Sequence, residues 1–226
     1  MQPPRPVDPH RVYTQIFLDG TYINSSCLLV ASDINHVINW FWCHTESEWS
    51  YGRLLDTMAP ADIATVDGHN GALKAITTQW SDTKVQRCLV HVQRNITEAT
   101  GRKPQTPMGK ALRRLGLDLL KVRTEKQAAD WVLKIHKFNY LFGNKLKERT
   151  YVKDVPFEQI PKSKRKNKKW WYTHYRHRTA YNLLEKLVNN DNLFLFITES
   201  HQQPHQDNET ASNAPPTVWK AGLTRR

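Results

Sequence analysis

Two aspartates in this chain sit in matching local settings, Phe17-Leu18-Asp19-Gly20 and Thr65-Val66-Asp67-Gly68. Each follows a run of β-branched, aromatic or aliphatic residues, so each is expected to close a strand on an Asp-Gly step. Carboxylates at the ends of two neighbouring strands can share a pair of divalent ions about 4 Å apart. Such a pair activates the attacking oxygen and stabilises the leaving oxygen of a phosphodiester. Magnesium suits this chemistry, because it takes few protein carboxylates and leaves room for phosphate oxygens. Asp19 and Asp67 are therefore the candidate catalytic residues and metal ligands, with Mg2+ as the expected cofactor. A lone Asp-Gly is equally ordinary turn chemistry, so neither pair is specific by itself. A third signal follows in Cys88-Leu89-Val90-His91. As zinc ligands Cys88 and His91 would need two further partners, and none stands at motif spacing.

A basic stretch could carry a nucleic acid. Eight Lys or Arg and no Asp or Glu lie between Gln159 and Leu184. Lys162, Lys164, Arg165, Lys166, Lys168 and Lys169 form its core and are the candidate phosphate contacts. The aromatics that follow, Trp170, Trp171 and Tyr172, could stack on an exposed base. Core packing is the favoured reading for the two tryptophans. Trp131 is read as core by the same logic.

The elements that must position these groups read as βββαβαβ over residues 11–91. The strand candidates are 11–18, 21–31 and 35–43, an antiparallel meander divided at Ser32-Asp33. A helix follows, with Thr45 and Glu48 as a capping box, an apolar face of Trp49, Leu54, Leu55 and Met58, and Pro60 as its stop. A short strand over 62–66 ends on Asp67. A helix over 70–80 has Leu73, Ile76, Thr77 and Trp80 on one side, and a strand over 85–91 carries the Cys-x-x-His step. In such a sheet the first and fourth strands can be neighbours. From Asn95 the apolar period becomes helical, through Leu112, Leu115, Leu119 and Val122. Thr124 and Gln127 form a capping box ahead of Trp131, Ile135 and Phe138. The expected divisions are a lead-in at 1–10, an α/β core at 11–94, a helical block at 95–190 with the basic stretch at 162–178, and a polar tail at 191–226.

Composition narrows the partner. The 226 residues are enough for one sizeable core, and 33 Lys/Arg against 21 Asp/Glu give a formal charge of +12. That balance favours a polyanionic partner. Cys27, Cys43 and Cys88 are odd in number and unpaired in spacing, which argues against a disulfide framework. The proline-rich start has no signal-peptide character, and no apolar run approaches membrane-spanning length. A cytoplasmic protein without membrane association is the expectation.

The three signals in order carry more than any one: Phe-Leu-Asp-Gly-Thr-Tyr, then Thr-Val-Asp-Gly-His-Asn-Gly-Ala-Leu, then Arg-Cys-Leu-Val-His-Val-Gln-Arg-Asn. In this order the sequence resembles the prokaryotic Mutator-type (MULE-like) transposases of bacterial insertion sequences, over residues 11 to about 197. The resemblance implies an RNase H-like mixed sheet with a large α-helical insertion, and a DDE carboxylate triad of which Asp19 and Asp67 are the first two members. It implies that Cys88 and His91 match the family's motif near the active site. DNA is the implied partner, as insertion-sequence ends and as target, with a homo-oligomer or a full-length transposase as a further partner.

The third carboxylate is missing. The family carries it in a segment Asn-x-x-Glu-Ser/Gly after the insertion, and no such segment occurs here. Glu185 lies in an amphipathic helix, and Glu199 and Glu209 lie in the polar tail without an Asn three residues before them. The genetic code suggests why. Reading Trp219-Lys220 two bases later forces a Glu codon, and the surrounding codons become compatible with Asn-Arg-Val-Glu-Gly. A frameshift near 198–200 is the expectation, and a natural polar tail is the alternative. The lead-in also lacks a DNA-binding module of the kind that usually precedes the first catalytic strand. The chain therefore reads as a transposase catalytic-domain fragment, inactive by itself. A non-catalytic DNA-binding fragment that interferes with full transposase is one alternative. A small RNase H-like nuclease using Asp62 or Asp33 as its third carboxylate is the other.

Overall fold

The computed structural model describes residues 7–162 and 169–198. Its first half is a five-stranded mixed sheet in the order β3-β2-β1-β4-β5, built from β1 (Gln15–Ile23), β2 (Ser26–Ser32), β3 (Val37–Cys43), β4 (Ile63–Val66) and β5 (Lys84–Arg87). The first three strands form the expected antiparallel meander. β4 pairs parallel to both β1 and β5. All four residues of β4 are buried, as befits a central parallel strand covered on both faces. The chain is thus α/β with a mixed sheet.

Strand β1 does not end at Asp19-Gly20. It continues to Ile23, because Thr21, Tyr22 and Ile23 are good strand formers that pair with Leu28, Cys27 and Ser26. The reversal falls at Asn24, whose φ of 56° is one that Asn tolerates.

Helix α1 (Glu48–Leu55) is capped by Ser47, not Thr45: the Ser50 N–H donates to Ser47 Oγ at 3.1 Å. Thr45 contributes only its carbonyl, which accepts from Ser50 Oγ. Trp49 was expected on the apolar face but is 67% exposed. At 100° per residue it points away from Tyr51, Leu54 and Leu55, which form the buried face. Helix α2 (Asn70–Gln79) buries Ala72, Ala75 and Ile76, and leaves Thr77 exposed. These two helices and one face of the sheet enclose the first core, with Ile16, Leu18, Leu29, Leu54, Val66 and Ile76.

The second half is helical from Leu89 onward, earlier than the expected Asn95. It comprises α3 (Leu89–Thr100), α4 (Pro107–Leu119), α5 (Glu125–Lys147), α6 (Tyr175–Asn189) and α7 (Leu195–Thr198). Leu112, Leu119, Trp131, Ile135, Phe138 and Leu184 form its core. Trp131 is 1% exposed, and its indole N–H donates to the Leu115 carbonyl at 3.0 Å, as a buried tryptophan requires. Thr124 caps α5, and Gln127 reaches back one residue further than expected, to the Arg123 N–H. Residues 191–198 pack with this core, through Leu193 and Ile197, so the helical block reaches past 190. The segment is also stitched to β5: Arg87 N–H donates to the Asn192 carbonyl at 2.7 Å and Leu195 N–H to Gln86 Oε1 at 2.9 Å.

A small ribbon pairs β6 (Arg149–Tyr151) with β7 (Trp170–Tyr172). Trp170 and Trp171 are half-buried here and belong to neither core. The ribbon stands apart from the main sheet, and arginines do the covering: Arg149 lies over Trp170 at 4.0 Å and Arg178 over Tyr172 at 4.1 Å. Among the described residues no helix is long and apolar enough to cross a membrane.

Candidate functional site

The register of the sheet puts the two aspartates side by side. Phe17 pairs with Thr65 and Leu18 with Val66. One step further along each strand come Asp19 and Asp67. Neighbouring strands lie about 5 Å apart and residues two apart share a face, so both aspartates leave the sheet on the face of Phe17 and Thr65. That face is opposite to the one carrying Leu18 and Val66, which pack in the first core. Asp19 is exposed and Asp67 is half-buried.

Each carboxylate is oriented by an amide just after it. Asp19 Oδ1 accepts from the Gly20 N–H at 3.0 Å, and Asp67 Oδ1 accepts from the His69 N–H at 2.7 Å. Although Asp19 is exposed as a residue, the packing around its carboxyl raises its pKa above the ordinary value. His91, the Gly20 amide and Arg94 pull it down, and the neighbouring Asp67 pushes it up. That Asp67 acts on Asp19 at all is expected of two carboxylates placed close together.

The glycines after the aspartates both meet close neighbours, and Gly68 in addition holds a left-handed backbone angle. A Cβ on Gly20 would fall 2.5 Å from the carboxylate carbon of Glu46. Gly68 has a φ of 97°, and a Cβ there would fall 1.9 Å from the Arg87 guanidinium. Arg87 is only 9% exposed, and its Nη2 donates to the Asp67 carbonyl at 2.6 Å. Burial lowers its pKa, while Asp67 and Cys88 raise it. Its Nε is buried without a hydrogen-bond partner.

Cys88 and His91 do not lie on a strand as expected. β5 stops at Arg87, Cys88 is the N-cap of α3, and His91 sits in its first turn. The Cys88 N–H still donates to the Val66 carbonyl at 2.8 Å, which fixes the helix start beside the end of β4. Burial pushes the Cys88 thiol up, but the His91 side chain and the first-turn amides of His91 and Val90 outweigh it, and the thiol lies below its ordinary value. Cys88 raises His91 in return, against burial, with further help from Asp67 and Asp19. The contact falls short of a well-formed hydrogen bond. Cys88 makes no side-chain cap bond, and His91 Nδ1 has no partner. The pair is an electrostatic neighbour of the aspartates.

Other candidates are placed elsewhere. Asp62 precedes β4, five residues before Asp67 and therefore roughly 16 Å away at the far end of the strand. Asp33 turns the chain between β2 and β3, accepting from the Asn35 and His36 amides. Neither can join Asp19 and Asp67. Glu185 accepts from Tyr181 Oη within α6. Glu199 and Glu209 lie outside the described residues, as do Lys164, Arg165, Lys166 and Lys168. Lys162 and Lys169, which flank those cations, are exposed. Among the described residues no group of three or more His, Cys, Asp or Glu is arranged to hold a metal ion.

Residues 5–187 match the family described as Transposase, Mutator family. The chain belongs to the Mutator family of transposases. A relative is the transposase for insertion sequence element IS905 of Lactococcus lactis subsp. lactis (strain IL1403), 29% identical over 107 residues. That match covers 40% of this chain and 27% of the relative, so the chain spans about a quarter of that protein's length. Within this Mutator-family chain, Glu46, Tyr51, His69 and Arg87 also lie around the aspartate pair. Sequence reading missed them all. The available signal was the glycines: Gly20, Gly68 and Gly71 each make room for one of these side chains or its neighbouring backbone.

Proposed function

We propose that this chain is the catalytic-domain part of an insertion-sequence transposase, with an RNase H-like sheet that presents Asp19 and Asp67 to DNA. The observation that supports the reading is the β1–β4 register, in which Leu18 pairs with Val66 and Asp19 and Asp67 each follow by one residue. Two carboxylates at that spacing fit the donor chemistry of magnesium, which keeps several waters and takes one or two protein carboxylates. Asp19 and Asp67 would hold it. Bound magnesium supplies charge neutralisation at the phosphate. In the first step a water oxygen bonds to phosphorus and the bond to the 3′ oxygen breaks, freeing a 3′-hydroxyl. In the second step that hydroxyl oxygen bonds to a target phosphorus, and a target 3′ oxygen leaves. The protein's part in both steps is orientation. The Gly20 and His69 amides fix the two carboxylates, and Arg87 holds the Asp67 backbone. Lys162 and Lys169, with the cations between them in sequence, would neutralise backbone phosphates.

Among the described residues no third Asp or Glu is arranged with Asp19 and Asp67 to hold a metal ion. We propose that the chain by itself performs neither step at an appreciable rate, since losing one metal carboxylate costs orders of magnitude. A fold whose described residues place no third carboxylate at the pair favours a second role, as a DNA-binding fragment that joins and poisons assemblies of a complete transposase. The nuclease alternative is weakened by the positions of Asp33 and Asp62. The test is magnesium-dependent cleavage and joining of DNA by the full chain and by Asp67→Asn. The expected result is equal, background-level cleavage in both, with DNA binding retained. Cleavage by the chain that disappears in Asp67→Asn would overturn the inactive reading.

A further inference from the structure

We infer that Glu46 is a positioning residue, the centre of a strut that fixes Asp19 and Asp67 relative to each other; this rests on their proposed role as a pair. Glu46 lies in the turn between β3 and α1, and its side chain is 11% exposed. Its carboxylate fills the space where a Gly20 side chain would be, next to Asp19. Its backbone N–H donates to Tyr22 Oη on the same strand at 3.3 Å. On the other side, a Cβ on Gly71 would fall 2.7 Å from the Ser47 carbonyl carbon and 3.1 Å from the Glu46 carbonyl oxygen. The turn is therefore wedged between the strand of Asp19 and the first turn of α2, which follows Asp67.

The Glu46 side chain is itself held. Tyr51 Oη donates to Glu46 Oε2 at 2.9 Å, and His69 Nδ1 lies 3.9 Å from the same oxygen. His69 Nδ1 accepts from the Gly71 N–H at 3.2 Å, so in that state it caps α2 and does not donate to Glu46. Tyr51 is 1% exposed. Burial pushes its hydroxyl far up, and Glu46, Asp67 and Asp19 add to the shift in that order. One buried phenol thus feels all three carboxylates. With one oxygen accepting from Tyr51 and the carboxylate packed on Gly20, Glu46 acts through the backbone around the aspartates and not as a third ligand.

Two amides report the outcome directly, because the Gly20 N–H is bonded to Asp19 and the His69 N–H to Asp67. Hydrogen exchange of the metal-free full chain is measured for wild type, Glu46→Ala, Glu46→Gln and Tyr51→Phe. The strut predicts faster exchange at both amides, by about tenfold, in Glu46→Ala and Tyr51→Phe. It predicts no change at Leu112 in the helical core, and near wild-type rates in Glu46→Gln, which keeps the shape and the acceptor. Faster exchange at one amide only, or at neither, overturns it. The same proteins are then titrated with Mn2+. The strut predicts affinity about tenfold weaker in Glu46→Ala and Tyr51→Phe, with Glu46→Gln close to wild type. Loss in Glu46→Gln as severe as in Asp19→Asn would make Glu46 a ligand and overturn the positioning role. If wild type binds no Mn2+, the metal-pair reading fails, and the exchange arm still decides the strut.

Discussion

The two Asp-Gly steps look alike in sequence and differ in strand setting, backbone angle and the charge packed against the glycine. Asp19-Gly20 lies inside a long antiparallel strand, and Gly20 has no unusual backbone angle; a carboxylate packs against it. Asp67-Gly68 lies just past a short parallel strand, and Gly68 has a positive φ with a guanidinium against it. One corner is braced by an acid that answers to Tyr51, the other by a base that answers to the Asp67 backbone. The lesson is that a repeated dipeptide marked a repeated requirement, room beside a carboxylate, met by two different devices.

That contrast can be broken by mutation. Gly68→Ala combines left-handed strain with displacement of Arg87, and should cost about 4 kcal/mol in urea denaturation. Gly20→Ala meets only the Glu46 carboxylate and should cost about 2 kcal/mol, as other overpacking changes do. The loss should largely vanish in a Glu46→Ala background. Gly68→Ala should remain costly in an Arg87→Ala background, because the backbone angle persists. Equal rescue at both corners would mean that the two glycines serve the same purpose. Arg87→Met leaves the Asp67 carbonyl without its buried donor and should cost about 1 kcal/mol, a smaller effect than either glycine change.

Much of this architecture was legible in the sequence. The element order and the adjacency of the first and fourth strands followed from short apolar runs bounded by turn residues, and Trp131 from its helical period. The errors have local causes. Asp-Gly suggested a strand end at residue 19, but Thr21, Tyr22 and Ile23 found partners in β2 and carried the strand on. Cys88 and His91 followed an apolar run that read as strand, yet the chain turns into α3 at Leu89, which buries Val92 and Ile96 in the helical core. Glu46 and Arg87 were illegible because their importance depends on which glycine each meets, a relation set by tertiary packing across 26 and 19 residues of sequence.

The smaller predictions concern charge at the two corners. Cys88 lies below the ordinary thiol value of 9.0 because His91 and the α3 amides outweigh its burial. Its alkylation by iodoacetamide should therefore reach half-maximal rate below pH 9.0, and His91→Ala should move that midpoint upward. A midpoint unmoved by the substitution would separate the pair. Asp19 has a folded pKa raised above the ordinary 3.8, chiefly by burial. The native state then holds that proton more firmly than the unfolded chain, so its contribution to stability falls as pH rises through the window just above 3.8. Asp19→Asn should flatten stability against pH in that window, an effect reduced by the exposure of the residue.

The central claim is that Asp19 and Asp67 hold divalent metal together. Its most direct test is paramagnetic broadening of the Gly20 and His69 amide signals by Mn2+ in the full chain, since each amide is bonded to one of the carboxylates. Both signals should broaden at the same Mn2+ concentration, and both effects should disappear in Asp19→Asn and in Asp67→Asn alike. Broadening at one amide alone, or broadening that survives either substitution, would contradict a shared site.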